Sequence, residues 1–203
     1  MTKKVDYYTA AGSPWAYFGH PRFSEITRRL GSKVNIKPVD FGRIFAATGG
    51  LPLHERPKQR QAYRLVELAR YRDHLGMPLN LKPKFSPVPR DPAALLTIAT
   101  DRTEGTEAAM RLSGALMRAC WAEERDISDA ATLAAICEEQ GLKDSAALAA
   151  RSKMPEIRAL YEGYTDEAMA LNVFGAPSYV IDGVIFWGQD RLEFVERALS
   201  SKA

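Results

Sequence analysis

Cysteine is nearly missing from this chain: Cys120 and Cys137 are the only two in 203 residues. They stand seventeen positions apart in helical patterns, so a C-x-x-C redox pair is excluded and free thiols are the fitting reading. Cys137 shares an apolar helical face with Leu133 and Ile136, which reads as a packed core thiol rather than a reactive one. Long apolar runs are missing as well. No stretch approaches the length of a membrane span, and the amino terminus carries no apolar signal region. A cytoplasmic protein with free thiols is expected. Charge of one sign is not in excess, with 28 Lys and Arg against 25 Asp and Glu and a net charge of +3. The basic residues are dispersed, which suits a small anionic ligand and argues against nucleic acid. The three histidines, His20, His54 and His74, offer no obvious general base, His74 reading as a surface residue of a charged helix, and no metal site is expected.

What the chain does have is a legible order of elements. Residues 5–9 read as a buried strand, 14–30 as a helix ending at Gly31, and 34–41 as a second, partly alternating strand. A short helical piece, 43–48, runs into the turn Gly49-Gly50-Leu51-Pro52. From about residue 56 the character changes to alanine, leucine and charge at helical spacing, with one helix marked by Tyr63, Val66, Leu68 and Tyr71. Residues 79–92 are proline-rich and are expected to be an extended connector. Further helices read as 93–100, 104–124, 129–140, 145–150 and 155–171, with Asp129 and Ser145 as starts and Gly141 as a stop. Two short apolar runs, 178–181 and 184–187, flank Asp182-Gly183, the strongest short-range hairpin signal. A helix over 191–199 completes the chain. The expected architecture is α/β: a β-α-β and β-β-α sheet domain, residues 1–55 and 172–203, interrupted by an all-helical insertion, 56–171.

Three stretches carry candidate chemistry. Ser13-Pro14-Trp15-Ala16 closes the first strand and opens the first helix. Its serine is a natural N-cap and its proline suits the first helical turn. The same position, a helix N-terminus after a first strand, also holds small anions and thiolates. Gly175-Ala176-Pro177-Ser178 precedes the third strand. Pro177 reads either as a cis proline or as a trans proline at a strand start, and the resemblance drawn below implies cis. Phe186-Trp187-Gly188-Gln189-Asp190-Arg191 enters the last helix, where Asp190 and Glu193 have the spacing of a capping box.

The element order and these stretches together resemble the thioredoxin fold with a helical insertion, as in bacterial disulfide oxidoreductases and kappa-class glutathione transferases. Within that group the whole chain is similar to the 2-hydroxychromene-2-carboxylate isomerase family. The likeness rests on Ser13-Pro14-Trp15-Ala16-Tyr17, Ile44-Phe45 with Thr48-Gly49, Gly175-Ala176-Pro177-Ser178 and Gly188-Gln189-Asp190-Arg191-Leu192. It implies glutathione as cofactor, with Ser13 activating its thiol. Ala176, Pro177, Trp187, Gly188, Gln189, Asp190 and Arg191 are the implied binding residues, the acidic side chain facing the ligand's α-amino group. It also implies a small aromatic carboxylate substrate and a homodimer. The implied reaction interconverts a cyclic hemiketal carboxylate with its open trans-benzylidenepyruvate isomer by reversible thiolate addition. Where relatives show patterns like I-F-K-A-T-G-N and F-F-P-V-N, this chain has Ala46, Gly50, Ser86 and Pro89. These departures lie toward the second-substrate side. Lys58, Lys84 and Arg90 are candidates to meet a substrate carboxylate, each also readable as a solvated charge. A kappa-type glutathione transferase and a non-catalytic thioredoxin-like binding module are the alternative readings.

Overall fold

The computed structural model describes residues 3–201, so the outer limits drawn at residues 1 and 203 lie outside the described residues. Strand β1, Lys4–Thr9, leads into helix α1, Pro14–Leu30, and then into β2, Lys33–Pro38. Helices α2, Phe41–Thr48, and α3, Lys58–Leu75, follow, joined through a 3-10 turn at Leu53–Glu55. Helices α4, Asp91–Glu104, α5, Thr106–Trp121, α6, Ala130–Glu139, α7, Ser145–Ser152, and α8, Pro155–Ala170, come next. The chain closes with β3, Ser178–Ile181, β4, Val184–Trp187, and α9, Leu192–Ser200. The four strands form one sheet in the order β2-β1-β3-β4. β1 and β2 are parallel, whereas β3 runs antiparallel to both β1 and β4.

Period-two alternation in β1 sorts its neighbouring tyrosines to opposite faces. Tyr7 packs with Phe23 of α1, Tyr179 of β3 and Val195 of α9. Tyr8 packs with Ile44 of α2, Ala168 of α8 and Val180. Helix α1 is amphipathic in two directions: Phe23 and Ile26 meet the sheet, while Ala16, Tyr17 and Phe18 join Leu68, Leu112, Leu116 and Met117 in the core of the helical block. It is therefore the wall shared by sheet and helices.

Several element boundaries differ from the sequence reading. The second strand stops at Pro38, and Phe41 belongs to α2 because the Asp40 carboxylate caps that helix from the Gly42 and Arg43 N–H groups. Helix α4 starts at Asp91 and is separated from α5 by Gly105, whose φ of 89° breaks the expected run 104–124. Helix α7 starts at Ser145 as expected, with the Asp144 carboxylate as its cap, and runs on to Ser152, two residues past the expected end. Asp129 caps α6 as expected, and Asp182 and Gly183 take the two positive φ values of the hairpin turn.

Candidate active site

The Ser13 turn is built by local rules. The Ser13 N–H donates to the Ala10 carbonyl at 3.0 Å, which folds the end of β1 back into α1. Its backbone is extended, with φ −98° and ψ 118°, and its Oγ accepts the Ala16 N–H at 3.2 Å. Pro14 fills the first helical position, where a missing N–H costs nothing. The first turn of α1 contains no acidic residue, so the partial positive charge of this helix end is not neutralised from within.

The Ser13 hydroxyl donates to the Ala176 carbonyl at 3.4 Å, joining stretches 163 positions apart in sequence. That distance is long for an O–H···O bond, so the hydroxyl is held loosely and is free to take a better acceptor. The Ala176–Pro177 bond is cis, as the resemblance implies. The Pro177 carbonyl accepts the Gly188 N–H at 2.9 Å, which fastens the last-helix turn to the same spot.

Two glycines make this junction possible. A Cβ on Gly175 would run into Trp187 Nε1, and one on Gly188, whose φ is 103°, would run into Asp190 Oδ1. Trp187 lies beside Phe174, ring centroids 4.8 Å apart, and stays 51% exposed. A half-open aromatic shelf therefore borders Ala176.

The turn after Trp187 differs from its sequence reading. Residues Gln189–Arg191 form a 3-10 turn, α9 starts at Leu192, and no side chain caps it. The capping-box reading of Asp190 and Glu193 is therefore corrected: the Asp190 carboxylate accepts from Arg191 Nη1 at 2.7 Å, and Glu193 pairs with Arg197. The interposed 3-10 turn moves Asp190 out of the capping position. Gln189 is 2% exposed and turned inward, its side chain and carbonyl both accepting from Arg22 of α1. Sequence reasoning passed over Arg22, and no local pattern marks a contact spanning 167 positions.

The remaining candidates separate clearly. Burial pushes the Cys120 thiol up to about 12 and Cys137 up to about 11, so both stay protonated. His20 is buried in a polar relay: Thr9 Oγ1 donates to the Tyr7 hydroxyl, which donates to His20 Nδ1, and Nε2 donates to the Met110 carbonyl. Burial lowers its pKa to about 4, which keeps it neutral. His54 and His74 are exposed. Lys58, Lys84 and Arg90 are exposed too, but Arg90 lies across the Ser13 turn, with its Nε 3.1 Å from the place of a Gly12 Cβ. Among the described residues no group of three or more His, Cys, Asp or Glu is placed to hold a metal ion. No helix among them is long and apolar enough to cross a membrane.

A four-stranded sheet with a cis proline before β3, a helix starting beside it and a helical insertion define a class. The chain belongs to the family of DSBA-like thioredoxin domains, which matches residues 4–200. Within that class it is similar to the 2-hydroxychromene-2-carboxylate isomerase of Sphingobium xenophagum, 29% identical over 202 residues that cover 98% of this chain and 99% of that protein. The Pseudomonas putida protein of the same name is 24% identical over 196 residues, covering 96% and 93%. The solved structure of a 2-hydroxychromene-2-carboxylate isomerase superposes with a TM-score of 0.78 at 24% identity, covering 97% of this chain and 94% of that one. The cytosolic disulfide reductase DsbM of Pseudomonas aeruginosa, solved with GSH, shares the fold at a TM-score of 0.70 and 17% identity, covering 98% and 100%.

Proposed function

We propose that this protein is a glutathione-dependent cis–trans isomerase acting on an aromatic substrate of the 2-hydroxychromene-2-carboxylate type. The observation that carries the reading is the Ser13 hydroxyl, loosely bonded to Ala176 at the unneutralised start of a 17-residue helix. The full-length likeness to two isomerases supports the substrate class. The ligand of the DsbM relative supports the cofactor.

The residues present fit glutathione. Ser13 would donate to its sulfur, Ala176 and Pro177 would take the cysteinyl backbone, and the turn from Trp187 to Arg191 would take the γ-glutamyl end. Asp190, exposed and paired with the equally exposed Arg191, has a carboxylate for the α-amino group. Gly188 shapes the turn rather than offering a bond, its N–H being spent on the Pro177 carbonyl and its own carbonyl on the Arg191 N–H, and Gln189 contributes no side chain because Arg22 holds it. When bound, glutathione supplies a thiolate that adds reversibly to the conjugated double bond of the ring-opened substrate and so lets that bond turn.

The task of the protein is to favour that thiolate at neutral pH. A free thiol titrates near 8.5, and lowering this by ~2 units requires roughly 2.7 kcal/mol. A hydrogen bond from a hydroxyl to a charged acceptor contributes about 1.5–3 kcal/mol. The N-terminus of α1 adds about 0.3–1 kcal/mol. Together these meet the requirement without a general base, in agreement with a His20 that is sealed and neutral.

The test follows interconversion of 2-hydroxychromene-2-carboxylate and its trans isomer while total glutathione is assayed. Turnover that depends on glutathione and leaves its amount unchanged is expected. Stoichiometric loss of glutathione would make the protein a transferase, and failure to bind glutathione at all would leave a binding module.

A further inference from the structure

The irregular segment 76–90 ends at Arg90, which precedes α4 without capping it by its side chain. Its backbone carbonyl accepts the Ala94 N–H at 3.1 Å, so the helix start depends on its main chain and leaves the guanidinium free for other use. The side chain folds over Gly12: a Cβ there would meet Nε, Cγ and Cδ at 3.1, 3.4 and 3.5 Å. Glycine at 12 is thus what lets a cation lie flat against the residue preceding Ser13.

Among the described residues the Arg90 guanidinium makes no ion pair, although Asp91 follows it directly in sequence. Asp91 is taken by Arg158 at 2.7 Å and by the Tyr161 hydroxyl at 3.1 Å. The charge nevertheless reaches inward: against the dominant effect of burial, Arg90 favours the thiolate of Cys120, which sits in the core behind α1. A planar guanidinium without a partner, held at the rim of a candidate site, is suited to bidentate recognition of a carboxylate.

We infer that Arg90, seated on Gly12, anchors the carboxylate of the second substrate. This rests on the isomerase reading. In the ring-opened substrate the carboxylate is three bonds from the carbon that a thiolate attacks, so its anchor has to stand next to the residue that holds the sulfur. Arg90 meets that demand. Lys84 is spent differently, with its ammonium 5.1 Å from the Phe85 ring centre.

The test uses trans-cinnamate, an unreactive aryl carboxylate, and its neutral amide, each titrated calorimetrically into the glutathione-free protein. Arg90→Gln should weaken cinnamate binding by roughly tenfold or more, the scale of a charge-assisted bond. It should leave the amide and glutathione affinities unchanged. Arg90→Lys should recover part of the loss, and Gly12→Ala should reproduce part of it by displacing the arginine. In turnover, Arg90→Gln should raise KM for the carboxylate more than it lowers kcat. Cinnamate bound equally by the unaltered protein and Arg90→Gln, or not bound by either, overturns the assignment. Turnover by the unaltered protein is measured alongside. Turnover combined with equal cinnamate affinities overturns the Arg90 assignment alone. Arg90-dependent cinnamate binding without turnover overturns the isomerase reading and upholds Arg90 as a carboxylate anchor.

Discussion

Ser13 and His20 stand seven positions apart on one helix and are treated in opposite ways by the fold. His20 is sealed, both ring nitrogens are engaged, and every member of its relay from Thr9 to Met110 has a partner. Ser13 is half-buried; its Oγ accepts the Ala16 N–H, but its proton has only one long bond, to a carbonyl from another part of the chain. A satisfied buried polar group stabilises, whereas a polar group left under-satisfied at a rim is available. The difference separates a structural polar residue from a candidate catalytic one without reference to residue type, since histidine would have been the conventional choice.

The largest effect that sharpens this contrast is on stability. His20 is held near a pKa of 4 against an ordinary 6.5, so the unfolded chain binds more protons between those values. Stability should therefore be complete above about pH 6.5, fall as pH drops toward 4 and level off below, by a total on the order of 3 kcal/mol. Denaturant titration of the unaltered protein and of His20→Gln should show the variant with a much flatter slope across that window. Turnover per folded molecule should not change.

Ser13→Ala should do the reverse. Turnover should fall by roughly tenfold or more, at 1.36 kcal/mol per decade, and the pKa of bound glutathione, read from thiolate ultraviolet absorbance, should rise. Stability should fall by only about 0.5–2 kcal/mol, through the lost cap. Full activity with an unshifted thiol pKa would reduce Ser13 to a cap. Asp190→Ala comes next, with glutathione affinity measured by calorimetry expected to drop by about tenfold, the lower end for a charge-assisted bond because Arg191 competes for the carboxylate. The smallest effect belongs to the two thiols. Cys120→Ala and Cys137→Ala should leave turnover per folded molecule unchanged, and in the native protein both should react slowly with a thiol reagent, because burial keeps them protonated.

Much of this was legible in the sequence where the cause is local. The Ser13 cap, the Asp129 cap and the Asp182-Gly183 turn depend on a few neighbouring residues, and each is found where its pattern stands. The β1, β2, β3 and β4 order followed from apolar runs and the helical interval between them. Misreadings arose where tertiary contacts override local pattern. Asp190 matches a capping box, but the 3-10 turn fixed by the Arg22–Gln189 contact shifts the helix start. The irregular segment 76–90, with a second cis bond at Ser86–Pro87, has no periodicity from which the position of Arg90 over Gly12 could be read.

The β3–β4 hairpin works as a ruler. Four residues on each side of Asp182-Gly183 set Ser178 opposite Trp187 and deliver the Gly188 N–H to Pro177. The site is thus measured out by strand length, with no covalent link and few side chains. One residue inserted on one arm would send each later side chain to the other face of the sheet. Trp187 would leave Phe174 and turn toward α9, and the Gly188 contact would open, although none of the residues proposed to hold a ligand had changed. Loop length here is as strict a constraint as side-chain identity, and a chain that kept every named residue but altered this count would keep the letters of the site and lose its shape.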